Sequence, residues 1–294
     1  MAFSVASFKT RTLTAVFFVG VMAGGLFLHP ASYLLLFLFL LIASWHEYAK
    51  LIHSIVQLPV HPYLLLGWIL NGLAICLLLT NALSSIGNFG IADNLVLPLQ
   101  LAGFILLILG TFSIRSGSMK QWWWLAAGNL YLTLPFALVL HLYGYGPLPA
   151  RELVFNSSVW WVVVAIATMW INDTLAYLMG SLIGRTPFSS ISPKKTWEGT
   201  LSGIFGATLL LGWVLDRFMD DAVFSAGAGY GLIFLLTIAG TLGDLFESKL
   251  KRKAGVKDSG RLMPGHGGVL DRFDSLLFAL PVVYLFLRVL SLWH

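Results

Sequence analysis

Residues 257–275 read KDSGRLMPGHGGVLDRFDS and hold three Asp, two Arg, a Lys and a His. Largely apolar stretches flank them, TIAGTLGDLFESKLKRKAGV (237–256) before and LLFALPVVYLFLRVLSLW (276–293) after. Apolar runs of roughly 20 residues can cross the ~30 Å hydrocarbon core of a bilayer as helices. The pattern predicts a chain that leaves the membrane, forms a charged loop and re-enters, so the charges of this loop need a function.

The composition agrees with a membrane protein. Of the 294 residues, 58% are hydrophobic and only 11% are charged, against about 25% charged residues in a soluble domain. A net charge of +5 would suggest nucleic acid in a soluble protein, but Lys and Arg here collect in loops beside anionic lipid. We therefore expect no nucleic-acid partner. The single Cys76 excludes a disulfide within the chain and a Cys-based metal site.

Nine apolar runs are long enough to span the bilayer, which predicts an all-α polytopic protein with a bundle of about nine transmembrane helices. The run Leu13–Leu28 resembles a signal peptide, but further spans follow at once without a clear cleavage site, so we interpret it as a retained first helix. The predicted spans are 12–29, 31–50, 62–81, 94–114, 121–143, 158–180, 199–218, 226–248 and 269–291.

Basic residues predict the orientation, because cytoplasmic loops carry an excess of Lys and Arg. With the N-terminus inside and the C-terminus outside, only Arg151, Arg217 and Arg288 of the 18 basic residues lie on the outer side or in the last span. The loop 257–275 and the segment GRTPFSSISPKKTWEG (184–199) then share the cytoplasmic face.

Several acidic residues fall inside or at the ends of predicted spans, where an unpaired charge is costly and therefore indicates function. Asp173 shares one face of the sixth span with Tyr177 and Gly180, although a polar contact between helices is an alternative interpretation. Asp244 and Glu247 lie near the inner end of the eighth span, deeper than the basic residues that follow them. Anchoring to lipid explains some of those basic residues but not the two acids.

Asp271 and Asp274 stand in the first turn of the last predicted helix, where capping alone could account for one of them. The preceding PGHGG (264–268) offers backbone N–H groups to an anion. Carboxylates beside an anion site suit Mg²⁺, which binds a few carboxylates and substrate phosphates. The candidates for metal are Asp173, Asp244, Glu247, Asp271 and Asp274, and those for phosphate are Lys194, Lys195, Lys251, Arg252, Lys257, Arg261, His266 and Arg272. This set predicts phosphoryl or nucleotidyl transfer.

The segment SKLKRKAGVKDSGRLMPGHGGVLDRFD (248–274) resembles the signature of the phosphatidate cytidylyltransferase family. NDTLAYLMG (172–180) and SPKKTWEG (192–199) are similar to two further family segments, so the resemblance covers about 172–275. Within the first 150 residues, WHEY (45–48) resembles a family segment only weakly. The matching signature residues are Ser248, Lys251, Arg252, Lys257, Asp258, Gly260, Pro264, His266, Gly267, Gly268, Asp271, Arg272 and Asp274, whereas Met263 stands where the family usually has Leu or Ile.

The resemblance implies that CTP and phosphatidic acid react to give CDP-diacylglycerol and pyrophosphate at the bacterial cytoplasmic membrane. It implies Mg²⁺ on Asp244 and Asp271, to which we add Glu247 as a candidate, with a monovalent cation such as K⁺ as a companion. The expected catalytic residues are Asp244, Asp271, Lys257, His266 and Arg272. Those expected to bind substrate are Asp173, Ser192, Lys194, Lys195, Thr196, Lys251, Arg252, Asp258, Gly267, Gly268 and Asp274.

The resemblance also implies an architecture. Each chain would form a bundle of nine helices with a polar cavity open to the cytoplasm, and two copies would form a homodimer surrounded by membrane lipids. We expect residues 1–150 to form about five spans that bind lipid and mediate dimerisation. Residues 151–294 would form four catalytic spans with the signature loop 248–275.

Two alternative functions remain. A CTP-dependent polyprenol or phytol kinase shares parts of the C-terminal pattern. A membrane transporter would also carry charges within its spans, but it needs polar groups on both sides, and the outer half of this bundle has almost none.

Overall fold

The computed structural model describes residues 5–80, 89–113, 119–143, 159–218, 227–262 and 267–292. These residues form ten α-helices and one π-helical turn, and the described part of the chain contains no β-strand. The helices are α1 (Val5–Phe27), α2 (Pro30–Val56), α3 (Pro62–Leu79), α4 (Phe89–Ser113), α5 (Met119–Gly128), α6 (Leu134–Leu142), α7 (Val159–Ile183), α8 (Trp197–Phe218), α9 (Ala228–Lys253) and α10 (Leu270–Leu292).

Seven helical segments among the described residues are long and apolar enough to cross a bilayer. The all-α polytopic prediction is therefore confirmed. A shorter apolar segment, Val16–Phe27, falls within the first predicted span, and α10 coincides with the last. The count of nine spans stays a prediction. The seven segments are Pro30–Val56, Pro62–Leu79, Leu95–Ser113, Met119–Leu142, Val159–Ile183, Trp197–Arg217 and Ala228–Lys253.

The start of α2 is set by local sequence. Pro30 occupies the first turn, where its missing N–H costs nothing. The His29 side chain accepts from the Ala31 N–H (3.1 Å), and the Ser32 hydroxyl accepts from the His29 N–H (3.0 Å), which is a reciprocal cap. The helix ends where Gln57 adopts the left-handed conformation (φ 58°). Glu47 therefore lies well inside α2, and its side chain is buried.

The chain divides into two compact units. The first comprises Met1–His141 and Leu250–Phe273. In it, helices α3 and α4 approach closely at glycines, since a Cβ on Gly67 would come within 2.9 Å of the Gly103 carbonyl oxygen. Tyr33 of α2 is fully buried and donates its hydroxyl to the Val139 carbonyl (2.8 Å).

The π-helical turn Asn129–Thr133 joins α5 to α6 within the first unit. The indole Nε1 of Trp45 on α2 donates to the Thr133 hydroxyl at this turn (3.2 Å). A Cβ on Gly72 of α3 would come within 2.8 Å of the same hydroxyl oxygen. Three helices therefore meet around the turn, next to the part of α2 that carries Glu47.

The second unit comprises Leu142–Lys249 and Asp274–His294. Its helices α7 and α8 pack through small residues, because a Cβ on Gly199 would lie 2.6 Å from the Ala176 carbonyl oxygen and 2.8 Å from Gly180 Cα. The signature segment 248–275 contributes Leu250–Phe273 to the first unit and its ends to the second. The predicted division of the chain at residue 150 stays a prediction.

Candidate active site

The segment between α7 and α8 in the second unit folds back on itself. The Phe188 N–H donates to the Lys195 carbonyl (2.8 Å), and the Trp197 N–H donates to the Thr186 carbonyl (2.9 Å). The rings of Phe188 and Trp197 meet edge to face, with centroids 4.6 Å apart. This short hairpin presents the SPKKTWEG segment at the start of α8.

Two residues of SPKKTWEG hold the hairpin in place. The Glu198 carboxylate accepts from the N–H groups of Arg185 and Thr186 (3.2 Å each) and from the Thr186 hydroxyl (2.9 Å). The Thr196 hydroxyl caps α8 by accepting from the Gly199 N–H (3.2 Å). Thr196 thus has a structural role as a helix cap, and its role in substrate binding stays a prediction.

A polar cavity of about 400 Å³ opens where the hairpin, α7, α8 and α9 meet within the second unit. Six residues predicted from the sequence line it, namely Asp173, Ser192, Lys194, Lys195, Thr196 and Asp244. The cavity therefore brings together two acids and two lysines from positions distant in sequence. Its other lining residues are Asn172, Ala176, Tyr177, Gly180, Ser181, Thr200 and Thr241.

Lys195 and Asp244 form an ion pair in this cavity. The lysine Nζ donates to Asp244 Oδ2 at 2.5 Å. The two side chains are 32% and 26% exposed, and ion pairs reachable by water contribute only about 0–1 kcal/mol to folding stability. The pair therefore adds little to folding stability and leaves both charges within reach of the cavity.

Asn172 is a cavity residue to which the sequence analysis assigned no role. It is buried, and its Nδ2 lies 3.4 Å from Asp173 Oδ1. Its Oδ1 has no hydrogen-bond partner among the described residues. In the sequence, its signals were a polar residue beside Asp173 within a predicted span and its place in NDTLAYLMG (172–180).

In the first unit, the Asp271 carboxylate lies at the start of α10. Lys251 donates to Asp271 Oδ1 (2.6 Å), and the N–H groups of Ser259 and Gly268 donate to Oδ2 (2.9 and 2.8 Å). The Lys251 and Asp271 side chains are 13% and 8% exposed, so the pair is largely buried. Gly267 adopts φ 86°, a conformation that suits glycine. The signature residues Lys251, Gly267 and Gly268 are thus organised around Asp271.

Glu47 of α2 is the second carboxylate at the same segment of the first unit. It is 4% exposed and accepts from the Ser259 hydroxyl (2.9 Å) and from the N–H groups of Val269 (3.0 Å) and Leu270 (2.9 Å). The sequence analysis missed this residue. A Glu inside the predicted span 31–50, within WHEY, was the signal that could have identified it.

The remaining predicted residues differ in exposure. Arg252, Lys257, Asp258 and Arg272 are exposed, and an Arg252 guanidinium N–H donates to the Val256 carbonyl (3.2 Å). Glu247 and Asp274 in the second unit are buried. Asp274 Oδ1 accepts from the Ser275 N–H (2.6 Å). His266 lies outside the described residues.

The cavity offers two carboxylates to a cation, Asp173 and Asp244. The described residues contain no cluster of three or more His, Cys, Asp or Glu side chains able to hold a metal. Mg²⁺ at nucleotide sites commonly takes one or two carboxylates together with phosphates and water. Asp173 and Asp244, which share one cavity with two lysines, supply oxygen donors of this kind.

Comparisons with known proteins agree with the resemblance drawn from residues 172–275. The profile of the cytidylyltransferase family matches residues 9–290. A phosphatidate cytidylyltransferase of Synechocystis sp. is 46% identical over 157 residues, 53% of this chain and 53% of the relative. One of Helicobacter pylori is 44% identical over 137 residues, 46% of this chain and 48% of the relative.

These two alignments span about half the length of the relatives. A phosphatidate cytidylyltransferase of Staphylococcus saprophyticus is 31% identical over 287 residues, 95% of this chain and 98% of the relative. Since the family profile and this alignment both extend over nearly all of the sequence, the chain belongs to the cytidylyltransferase family.

Proposed function

We propose that this membrane protein condenses CTP with phosphatidic acid to give CDP-diacylglycerol and pyrophosphate. The observation that carries the proposal is the polar cavity in which Lys194, the Lys195–Asp244 ion pair and Asp173 meet, in a chain of the cytidylyltransferase family. Relatives named phosphatidate cytidylyltransferase supply the choice of nucleotide and lipid.

The reaction needs little covalent chemistry from the protein. A phosphate oxygen of phosphatidate attacks the α-phosphorus of CTP, a new P–O bond forms, and the bond from the α-phosphorus to the bridging oxygen breaks as pyrophosphate leaves. The attacking group is already an anion, so no protein nucleophile is required. Catalysis then consists of positioning and neutralising negative charge.

The lysines of the cavity match that requirement. The Lys195 side chain forms an ion pair with Asp244. Its backbone N–H donates to the Ser192 carbonyl (3.0 Å). Its ammonium group therefore already points into the cavity before a ligand arrives, which lowers the ordering cost of binding. Lys194 lines the same cavity and is exposed. We infer that both lysines bind the triphosphate.

The proposal includes Mg²⁺, with K⁺ as an accompanying cation. Asp173 and Asp244 in the second unit, and Asp271 in the first, are the carboxylates that we assign to cation binding. A bound divalent cation would offset the charge of the phosphates. Lys257, Arg272 and His266 are proposed to contact phosphate from the signature segment.

We infer a location in the cytoplasmic membrane of a bacterium, with the N-terminus and the site inside and the C-terminus outside. The support is the sequence asymmetry, in which three of the 18 basic residues fall on the outer side or in the last span. A homodimer is part of the same proposal.

The test is to incubate the full chain, purified in detergent, with labelled CTP, phosphatidic acid and Mg²⁺, and to identify the lipid product. We expect labelled CDP-diacylglycerol, its loss with chelator and its return with excess Mg²⁺. A parallel reaction with phytol or a polyprenol distinguishes the kinase alternative. Phosphorylated alcohol with no CDP-diacylglycerol would contradict the proposal, and full turnover in chelator would remove the cation from it.

A further inference from the structure

We propose that Glu47, on α2, is a positioning residue that holds the signature segment in the conformation that presents Asp271. The inference rests on the proposed function, because it assigns Asp271 a part in cytidylyl transfer. The sequence motifs all lie within residues 172–275. The inference adds a residue of α2, which is outside that range.

The contacts of Glu47 converge on one segment. Its Oε2 accepts from the Ser259 hydroxyl and the Leu270 N–H, and its Oε1 accepts from the Val269 N–H. All three partners lie in the signature, and all three donate. Both carboxylate oxygens are therefore used as acceptors, which a Gln side chain with a single amide oxygen cannot reproduce.

Two signature glycines, Gly260 and Gly268, pack directly against the Glu47 carboxylate. A Cβ at Gly260 would collide with Glu47 Oε1, and a Cβ at Gly268 would collide with Glu47 Oε2. The sequence analysis interpreted the glycines of PGHGG (264–268) as backbone able to approach an anion ligand closely. At Gly268 the anion that the backbone approaches is Glu47 itself.

The contacts of Glu47 are coupled to those of Asp271 through shared residues. Ser259 donates its hydroxyl to Glu47 and its N–H to Asp271. Gly268 packs against Glu47 and donates its N–H to Asp271. Leu270, which donates to Glu47, directly precedes Asp271 in the first turn of α10. Glu47 therefore contacts both residues whose N–H groups donate to Asp271, namely Ser259 and Gly268.

A purely structural role for Glu47 is the competing explanation, and Tyr33 provides a matched control. Tyr33 lies on the same helix, is fully buried, and also makes a side-chain hydrogen bond to backbone, at Val139. Tyr33→Phe removes the buried hydrogen bond from α2 to Val139, a residue outside the signature segment. If both variants lower stability equally, only the positioning role predicts that their kinetics differ.

The experiment compares Glu47→Gln, Glu47→Asp and Tyr33→Phe in the full chain in detergent. The first readout is amide hydrogen exchange in peptides that cover Val269 and Leu270, which does not depend on activity. The second is kcat and KM for CTP with phosphatidate and Mg²⁺. For Glu47→Gln we expect exchange at these amides to accelerate about tenfold or more. We expect kcat to fall about 10- to 100-fold, as is usual when the supporting partner of a functional carboxylate is lost.

The KM for CTP should change less than kcat in Glu47→Gln, because Lys194 and Lys195, which are proposed to bind the triphosphate, lie in the other unit and are unaltered. Glu47→Asp, which keeps the charge on a shorter side chain, should recover part of kcat. Tyr33→Phe should keep wild-type kcat and wild-type exchange at Val269 and Leu270. If Glu47→Gln does not fold, Glu47→Asp and Ser259→Ala carry the test, and each should lower kcat while accelerating exchange.

Wild-type exchange and wild-type kcat in the Glu47 variants would overturn the proposal. So would a fall in kcat that Tyr33→Phe reproduces at equal loss of stability. If the wild-type protein makes no CDP-diacylglycerol, the proposed function fails. The exchange readout then still decides whether Glu47 orders the signature segment.

Discussion

At the residue scale, the acids of this protein divide between holding backbone and facing a cavity. Glu47 and Glu198 each accept three donors from the chain around them. Asp244 instead meets a lysine in a cavity, where both side chains are partly exposed. Asp271 has features of both groups, since its contacts are internal while its signature position implies a part in the reaction.

We predict that Asp271→Asn will lose activity by about a thousandfold or more, the equivalent of several kcal/mol of transition-state stabilisation. It should also lower the melting temperature, because Lys251 loses its charged partner in a largely buried pair. Asn caps a helix about as well as Asp, but it removes the charge that a hard cation requires and that Lys251 contacts. Turnover of CTP measures the loss.

The control is Asp216→Asn. Asp216 accepts from the N–H groups of Gly227 and Gly229 (2.8 and 3.0 Å), which is a backbone-holding role without proposed chemistry. This variant should retain most of its activity. If Asp271→Asn retains about half of the wild-type activity, Asp271 serves only as a helix cap.

Two lysines with different surroundings yield a second prediction. Lys195→Ala should lower turnover by at least about a hundredfold, because it removes both a proposed phosphate ligand and the partner of Asp244. Lys253 Nζ lies 4.8 Å from the centre of the Trp124 ring, a contact that contributes about 0.5–1 kcal/mol at an exposed site. Lys253→Ala should therefore lower the melting temperature slightly and leave turnover near wild type.

Assays at saturating CTP and at one temperature below both melting transitions separate the two effects. Equal losses of turnover in the two lysine variants would contradict the assignment of Lys195 to the site.

At the scale of elements, the candidate site depends on how closely α7 approaches α8. The hairpin leads into α8, and Gly199 in the first turn of α8 lies directly against Ala176 and Gly180 of α7. Asp173 projects from α7 and Lys195 from the hairpin into one cavity. The distance between these groups is therefore set by helix packing rather than by local sequence.

Gly199→Ala should destabilise the protein by about 1–3 kcal/mol and reduce turnover, because an added methyl group forces two closely packed backbones apart. Gly231→Ala is the matched control. It lies in α9, and its Cβ would meet nothing within 4 Å. Replacing a helical glycine with space around it is expected to leave stability unchanged or raise it by about 0.5–1 kcal/mol. Thermal unfolding in detergent measures both, and a similar shift in the two variants would contradict this account of the packing.

At the scale of the whole molecule, the protein carries its basic residues asymmetrically. Long apolar helices confirm that it is a membrane protein, and the orientation follows from the loops rather than from the helices. Some of those loops, including the one that holds Arg151, lie outside the described residues. The orientation therefore stays a prediction from the sequence.

We predict that a reporter fused to the N-terminus will be active in the cytoplasm and one fused to the C-terminus will be active outside it. An odd number of spans and the positive-inside rule together require this result. Paired reporters that respond in opposite compartments measure it, with each reporter at the other terminus as the control. Reporters on the same side would show that the number of spans is even.

The class of the protein and most of its candidate site residues follow from the amino-acid sequence alone. Apolar runs of about 20 residues become helices wherever they enter a bilayer, because backbone groups there must bond within their own segment. The charged signature is easy to recognise in the sequence, because such an apolar chain has few other charged residues. Asp173, Lys194, Lys195 and Asp244 were all identified before the cavity that they line.

Which of these groups meet depends on the tertiary structure. Lys195 and Asp244 are 49 residues apart, and Glu47 lies 212 residues before Ser259. A hydrogen bond depends on atoms that come within about 3 Å of each other, and nothing local to WHEY indicates which backbone its carboxylate will contact. The part played by Glu47 in the signature segment therefore arises from packing within the first unit, which brings the middle of α2 against the first turn of α10.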